Sequence, residues 1–382
     1  MMPTEITPFG PLPPALPLHA HVVVWGGGLA GTLLADELLR RGLRVTLVDD
    51  AAQNRASRVA AGLYNLVTGK TPKRSWQADR LLTVLNAWIA ARPHARAHLH
   101  PMPIYRPFAN ATLANDWQAR SCEPWYADHI RCQATPWQPL HLAAAPTRGQ
   151  LHNPLGGFTL LGAGWAAVGP LLDALQHGIV AQPLGQLLRE NLPYSALDAP
   201  GRVLHTRNGP LTYDALVFAE GPQAATTPGG GNPHWHQVPI RPLKGELLVV
   251  AAPDLRLDRV VVGPPYVVPL GADRYCVGST YEHRFEHPAP TAAGAAQLRQ
   301  QFERLFPGVT YSVTDHQAGL RATTPDRRPL LGPLPTPGLW VFNGLGTKGV
   351  LLSPWCANVL ADALTLGKDL PPEVDLRRYP RA

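Results

Sequence analysis

The sequence predicts a mixed α/β and α+β fold, with a doubly wound, nucleotide-binding unit interleaved with an antiparallel-sheet domain. Three observations carry this. Residues 22–49 run strand, glycine-rich turn, helix, strand and acid in the order of a dinucleotide-binding unit. A second apolar strand, residues 215–221, stops at a glycine far downstream, as a strand parallel to the first would. Residues 245–281 then change texture to strands at hairpin spacing with little helix between them.

Taken in order, Val22, Val23, Val24 and Trp25 form a short β-branched and aromatic run, the mark of a buried strand. Gly26, Gly28 and Gly31 follow at G-x-G-x-x-G spacing. The first permits the tight turn, the second lets backbone approach a pyrophosphate, and the third lets the helix sit close to the strand. The helix starts at Leu29 and Ala30 and runs to about Arg41, with Ala30, Leu34 and Leu38 on one face and Gly42 as its stop. The strand 45–48 ends at Asp49, 23 residues after Gly26, where a carboxylate accepts ribose hydroxyls and repels a 2′-phosphate. Helices are expected at 76–91, 170–176, 292–305 and 350–365, and strand at 98–108, 158–161 and 339–343. Asn208-Gly209 joins a hairpin over 203–213. Strands are expected at 245–251, 259–270 and 274–281, an irregular stretch at 110–148, and a glycine- and arginine-bearing loop at 316–332. The resulting organisation is discontinuous: an extended arm at 1–20, a nucleotide-binding domain from 21–97, 149–232 and 318–382, and a substrate domain from 98–148 and 233–317.

Composition bounds the function. With 45% hydrophobic residues the chain can bury a large core, and 16% charged residues is too few for general disorder. The net charge is +7 and the cations are nearly all arginine, with lysine only at 70, 73, 244, 348 and 368, and no block of five like charges occurs. A nucleic-acid partner is therefore not expected. Cys122, Cys132, Cys276 and Cys356 form no C-x-x-C pair, which suits reduced thiols and a cytoplasmic location. No apolar run stands out as long enough to cross a bilayer, so no membrane partner is expected. Oligomeric state is left open. No metal site is expected: His283 and His287 follow a strand and precede Pro288, and His234-Trp-His236 reads as a solvated link.

Five pieces together resemble the FAD-dependent amine and amino-acid oxidases of the D-amino-acid oxidase, glycine oxidase and sarcosine oxidase superfamily. They are the 22–49 opening; Ser57-Arg-Val-Ala-Ala-Gly-Leu63; Ala219-Glu-Gly221; Tyr266-Val-Val-Pro with Val277-Gly-Ser-Thr-Tyr-Glu282; and Ala318-Gly-Leu-Arg…Gly332 with Asn343-Gly-Leu-Gly-Thr-Lys-Gly349. The resemblance implies a Rossmann-type FAD-binding domain and an antiparallel sheet over the flavin. It implies hydride transfer from a small amine or amino acid to flavin N5, with reoxidation by O2 or another acceptor.

Residue by residue, the resemblance gives Gly26, Gly28, Leu29, Ala30 and Gly31 the pyrophosphate and Asp49 the ribose. Ser57, Arg58, Ala61, Gly62 and Gly221 would pass the phosphates and flavin. Gly344, Gly346, Thr347, Lys348 and Gly349 would set backbone N–H groups, a helix N-terminus and a cation at the pyrimidine edge, where reduced flavin is anionic. Arg321 matches the arginine that grips a substrate carboxylate, a task suited to its planar fork, and Tyr266 a tyrosine that adds a hydroxyl. No cysteine stands near Gly319 where sarcosine oxidases tether flavin, so FAD is expected to be non-covalent. Cys276 stands near their oxygen-promoting lysine and Leu351 where they bind carboxylate with lysine. An FAD-dependent enzyme modifying a tRNA wobble-uridine side chain is the alternative.

Overall fold

A computed structural model describes residues 11–50, 56–69, 72–133, 151–226, 231–235 and 239–379. Residues 1–10 of the expected arm and 134–148 of the expected irregular stretch lie outside these. Residues 11–20 form no helix or strand; Leu12 and Leu16 pack on the core, and Leu16 N donates to Leu364 O at 2.8 Å.

Two large sheets position everything else. The first has six strands in the order Gly185–Leu188, Arg44–Val48, His21–Trp25, Ala215–Phe218, Leu339–Asn343 and Leu330–Pro333. Every neighbouring pair is parallel except the last, so Ala215–Phe218 runs beside the first strand as its apolar run predicted. Both faces are covered, which explains the continuous apolar runs of residues 22–25 and Ala215–Phe218. Val22 and Val24 pack under the helices Leu29–Arg40, Val168–Val180 and Gly349–Leu366, while Val23 and Phe218 face the small sheet of Val203–Thr206 and Gly209–Thr212. Each such buried side chain contributes about 1.5–3 kcal/mol.

The second sheet has eight strands: Ser312–Thr323, Arg241–Ala251, Arg274–Gly278, Tyr266–Gly271, Val260–Val262, Ile104–Pro107, Gly157–Leu160 and Ile130–Gln133. It is antiparallel apart from the Val260–Val262 pairing with Ile104–Pro107. Leu248, Val250, Val267 and Val277 pack with Leu298 and Phe302 of the helix Ala292–Leu305, whose N-cap Thr291 accepts from Gly294 N at 3.0 Å. Leu247, Val260, Val268 and Cys276 line the opposite face.

Several expectations need correction. Residues 316–332 are not a loop: a 12-residue strand, Ser312–Thr323, pairs along Arg241–Ala251, and its glycines and arginine hid it from a reading based on β-branched runs. Within 110–148, the helices Ala111–Arg120 and Pro124–His129 and the strand Ile130–Gln133 replace the irregular stretch, started by Asn110 as N-cap and by Pro124. The 98–108 strand is two, Leu99–Pro101 and Ile104–Pro107, in different sheets, and 259–270 is two strands paired with each other. The helix Gly349–Leu366 is, against expectation, long and apolar enough to cross a membrane by length and composition. It is 67% buried and packs against Leu29–Arg40 and Ala78–Ala90. The large sheet also takes Gly157–Leu160 and Ala318–Thr323 from segments assigned by sequence to the nucleotide-binding part.

A buried polar knot ties the large sheet to its helix. Lys244 Nζ lies 2.9 Å from Glu246 Oε1, with the two side chains 1% and 0% exposed. Glu246 also accepts from Thr291 N at 3.0 Å and Thr291 Oγ1 at 2.9 Å, and meets His316 Nε2 at 2.8 Å. Burial pushes the Glu246 carboxyl up, but the hydrogen bonds from Lys244, Thr291 and His316 outweigh it and hold it below its ordinary value. Removing one partner strands a buried charge. Lys244→Met is therefore expected to cost about 3–5 kcal/mol in urea unfolding, with a smaller loss for the double variant Lys244→Met/Glu246→Leu.

Candidate active site

The glycine turn is enforced by contact rather than by preference alone. Gly26 has φ +121°, and a Cβ there would fall 2.4 Å from Ala219 O; one on Gly31 would fall 1.8 Å from Gly26 O. Thr32 Oγ1 and Gln176 Nε2 donate to Gly27 O at 3.1 and 3.0 Å, which fixes the turn from behind. The helix that follows has Gly28 as N-cap with no side-chain cap, and Leu29 N donates to Ser57 Oγ at 3.2 Å. Uncapped N–H groups at a helix start, approached by glycine backbone, are what a pyrophosphate needs. Gly349, at the start of the last helix, would place a Cβ 3.0 Å from Leu29 Cδ1, so two helix N-termini converge here.

Asp49 is 1% exposed, and its Oδ2 accepts from Arg189 Nη1, while Arg189 Nη2 donates to Gln176 Oε1 at 2.7 Å. The sequence reading missed Arg189 because it missed the strand Gly185–Leu188 before it; the Leu187-Leu188 pair ahead of Arg189 was the available signal. Gly27, also not singled out, matters: a Cβ there would sit 2.3 Å from Asp49 Cγ. Arg58 pairs with Asp173 at 2.7 Å, and burial followed by repulsion from Arg58 lowers the Arg189 pKa. Arg58 thus stands at the Asp49 end of the turn. Ala61 is half-buried, and Gly62, at φ +69°, would drive a Cβ to 1.9 Å from Ala166 O.

Gly221 O accepts from the buried Asn343 Nδ2 at 2.9 Å. Glu220 beside it turns the other way and accepts from Asn232 Nδ2 at 2.8 Å. Trp235 is buried and His234 stacks on Phe218 at 5.9 Å, so residues 234 and 235 are not the solvated link expected; His236 lies outside the described residues. Burial raises the Glu220 pKa to about 7, against hydrogen bonds from Asn232, Tyr194 and Trp235. The folded protein then holds more protons than the unfolded chain between about pH 4.5 and 7, so Glu220 makes stability fall as pH rises through that window. The difference between wild type and Glu220→Gln in urea midpoints should change by about 3 kcal/mol equivalent across it and flatten above.

Arg321 lies on the long strand opposite Leu243. A Cβ on Gly245 would fall 2.2 Å from its Nη2, so the absent side chain makes room for the guanidinium. Arg321 Nη2 donates to Ser279 Oγ at 2.7 Å, Nη1 to Thr280 O at 3.5 Å, and the group lies 4.8 Å over the Tyr281 ring. Ser279 also hydrogen-bonds Tyr266, whose phenol burial holds neutral. Ser279 and Gly245 were missed; a glycine inside a strand was the signal. Asp326, five residues on from Arg321, pairs with Arg378 at 2.7 Å. Cys276 neighbours Tyr266, and burial pushes its thiol up to about 12.

The same strand reaches the last turn, where Gly346 N donates to Ala322 O at 2.9 Å, and a Cβ on Gly319 would meet Ala56 Cα at 3.2 Å. The strand that bears Arg321, the 56–62 segment and the 344–349 turn therefore meet. Gly344 and Gly346 both have positive φ, and Thr347 is exposed at the tip. Lys348 Nζ donates to Ser75 Oγ at 3.4 Å, and burial, then repulsion from Arg328 and Arg327, lowers its pKa. Among the described residues no group of three or more His, Cys, Asp and Glu could hold a metal.

A family described as FAD dependent oxidoreductase (DAO) matches residues 21–363. The tRNA 5-methylaminomethyl-2-thiouridine biosynthesis bifunctional protein MnmC of Thiobacillus denitrificans is 30% identical over 380 residues, 94% of this chain and 58% of that protein. The chain thus spans about three fifths of such relatives. Glycine oxidase of Pseudomonas putida is 27% identical over 91% of this chain and 95% of its own. The crystal structure of glycine oxidase from Geobacillus kaustophilus superposes with a TM-score of 0.72 at 24% identity, covering 92% of this chain and 96% of that one.

Proposed function

Because the chain belongs to the DAO family of FAD-dependent oxidoreductases, we propose that it oxidises the C–N bond of a small amine or amino acid bearing a carboxylate. The observation that carries this is Arg321: a guanidinium fixed by Ser279, seated over Tyr281, with no carboxylate partner among the described residues. Arg321 would hold the substrate carboxylate bidentately, with the Tyr266 hydroxyl beside it. Bound FAD, held non-covalently by the glycine turn and the 344–349 turn, would supply the hydride acceptor, with O2 as the proposed final acceptor. Lys348 and the last helix N-terminus would keep positive potential at the edge that becomes anionic. No general base is required of the chain: a neutral amine yields an imine that water hydrolyses, and the side chains act by orientation and electrostatics. The division into a nucleotide-binding and a substrate domain belongs to this reading, and four free cysteines suit a cytoplasmic setting.

The test is anaerobic bleaching of the flavin by glycine, sarcosine, proline and D- and L-amino acids, followed by air. Bleaching that air reverses supports an oxidase; bleaching that air leaves in place makes it a dehydrogenase; an unchanged spectrum overturns the small-substrate reading. The tRNA-modifying relatives support a second reading, removal of a carboxymethyl group from a wobble-uridine aminomethyl side chain, and weigh against the expectation of no nucleic-acid partner. Retention of tRNA that weakens steeply with salt, with bleaching by modified tRNA alone, would favour it.

A further inference from the structure

The large sheet carries a second guanidinium to which the reaction proposed above gives no task. Arg106 lies on the strand Ile104–Pro107, and its Nη1 and Nη2 donate to Val67 O at 3.2 Å and Gly69 O at 2.9 Å. Carbonyl oxygens solvate a cation without neutralising it, and among the described residues no carboxylate pairs with Arg106. Burial lowers its pKa to about 10, with Tyr281 the group beside it that acts in the opposite sense. A desolvated cation without a counter-charge is costly to keep, which favours a ligand that brings one. Tyr281, 58% exposed, carries the Arg321 guanidinium over its ring and lies within electrostatic reach of Arg106. A guanidinium has five N–H donors, and both arginines leave part of their fork uncommitted.

We propose that the substrate carries two carboxylates, one for Arg321 and a second, on an arm at least as long as that of glutamate, for Arg106. The arm length follows from the sheet. Four strands, Arg241–Ala251, Arg274–Gly278, Tyr266–Gly271 and Val260–Val262, lie between the two arginine-bearing strands. That is roughly 24 Å between backbones, a gap that a longer diacid bridges without both arginine stems lying fully extended along the sheet. The inference rests on Arg321 being the carboxylate clamp, and it adds selection by length and charge.

The experiment uses the FAD-loaded enzyme. Both enantiomers of glutamate and 2-aminoadipate are compared with glutamine and norvaline by kcat/KM, and glutarate and adipate with butyrate by their perturbation of the flavin spectrum. Wild type should prefer the diacids by about 100-fold in turnover and about 10-fold in binding. Arg106→Gln should collapse both ratios to within about 5-fold, and Arg106→Lys should restore part, since it keeps the charge without the fork. If Arg106→Gln does not fold, the wild-type ratios and the lysine variant decide. Equal use of mono- and dicarboxylates, a preference that survives in Arg106→Gln, or a preference for aspartate over glutamate overturns the proposal. Amine turnover without diacid preference overturns this inference alone. Arg106-dependent diacid binding without any amine turnover overturns the C–N reading and leaves the two-carboxylate site standing.

Discussion

Replacing Arg321 by alanine is expected to lower kcat/KM for a carboxylate-bearing amine by about 10²–10⁴, the loss of two charge-assisted hydrogen bonds worth about 3–5 kcal/mol together. The loss should fall mainly on KM if the clamp holds ground state and transition state alike, and on kcat as well if it aligns the α-carbon. Arg321→Lys should recover only part, since a point charge cannot reproduce the fork. A merely structural arginine predicts something different. Its removal would lower stability and affect amines with and without a carboxylate equally. Arg321 is held by a serine hydroxyl, a long carbonyl contact and an exposed ring. None of these is a buried ion pair whose loss would unfold the sheet, so the stability change in urea should stay within about 1 kcal/mol.

The sequence disclosed the nucleotide half more fully than the substrate half, and the reason is physical. Strand, turn and helix at 21–49 are local: their signals, β-branched runs and spaced glycines, act over a few residues. The long strand Ser312–Thr323 owes its form to pairing with Arg241–Ala251 some seventy residues away, and its own composition argues for a loop. Arg321 was found by resemblance, but Gly245 and Ser279, which set its place, become visible only when that pairing is known. Arg189 is a similar case: nothing near it in sequence points to Asp49, 140 residues earlier. Arg58, matched to a loop at the phosphates, finds Asp173 on a helix that folding brings beside it. Single glycines and cations carry their function through partners that local pattern does not name.

Two glycine substitutions should separate folding from cofactor capture. Gly31→Ala is expected to do both kinds of damage: its Cβ would lie 1.8 Å from the Gly26 carbonyl oxygen, backbone that cannot yield without moving the helix off the strand. FAD affinity should fall by at least about 100-fold, and the apoprotein should also lose roughly 3 kcal/mol or more as the buried face of Leu29–Arg40 lifts. Gly28→Ala differs. Its backbone, φ −79° and ψ −168°, is open to any L-residue, and its Cβ would meet the rotatable Ser57 Oγ at 3.1 Å. The apoprotein should therefore keep its stability to within about 1 kcal/mol. The new methyl group would still stand where the backbone must approach a pyrophosphate, so FAD affinity should fall by about 10–100-fold. Fluorescence titration of the apoprotein with FAD, paired with urea unfolding without it, measures the two effects separately. Gly28→Ala retaining FAD as wild type does would move the pyrophosphate away from this turn. Equal apoprotein destabilisation by both variants would make the turn a packing device alone.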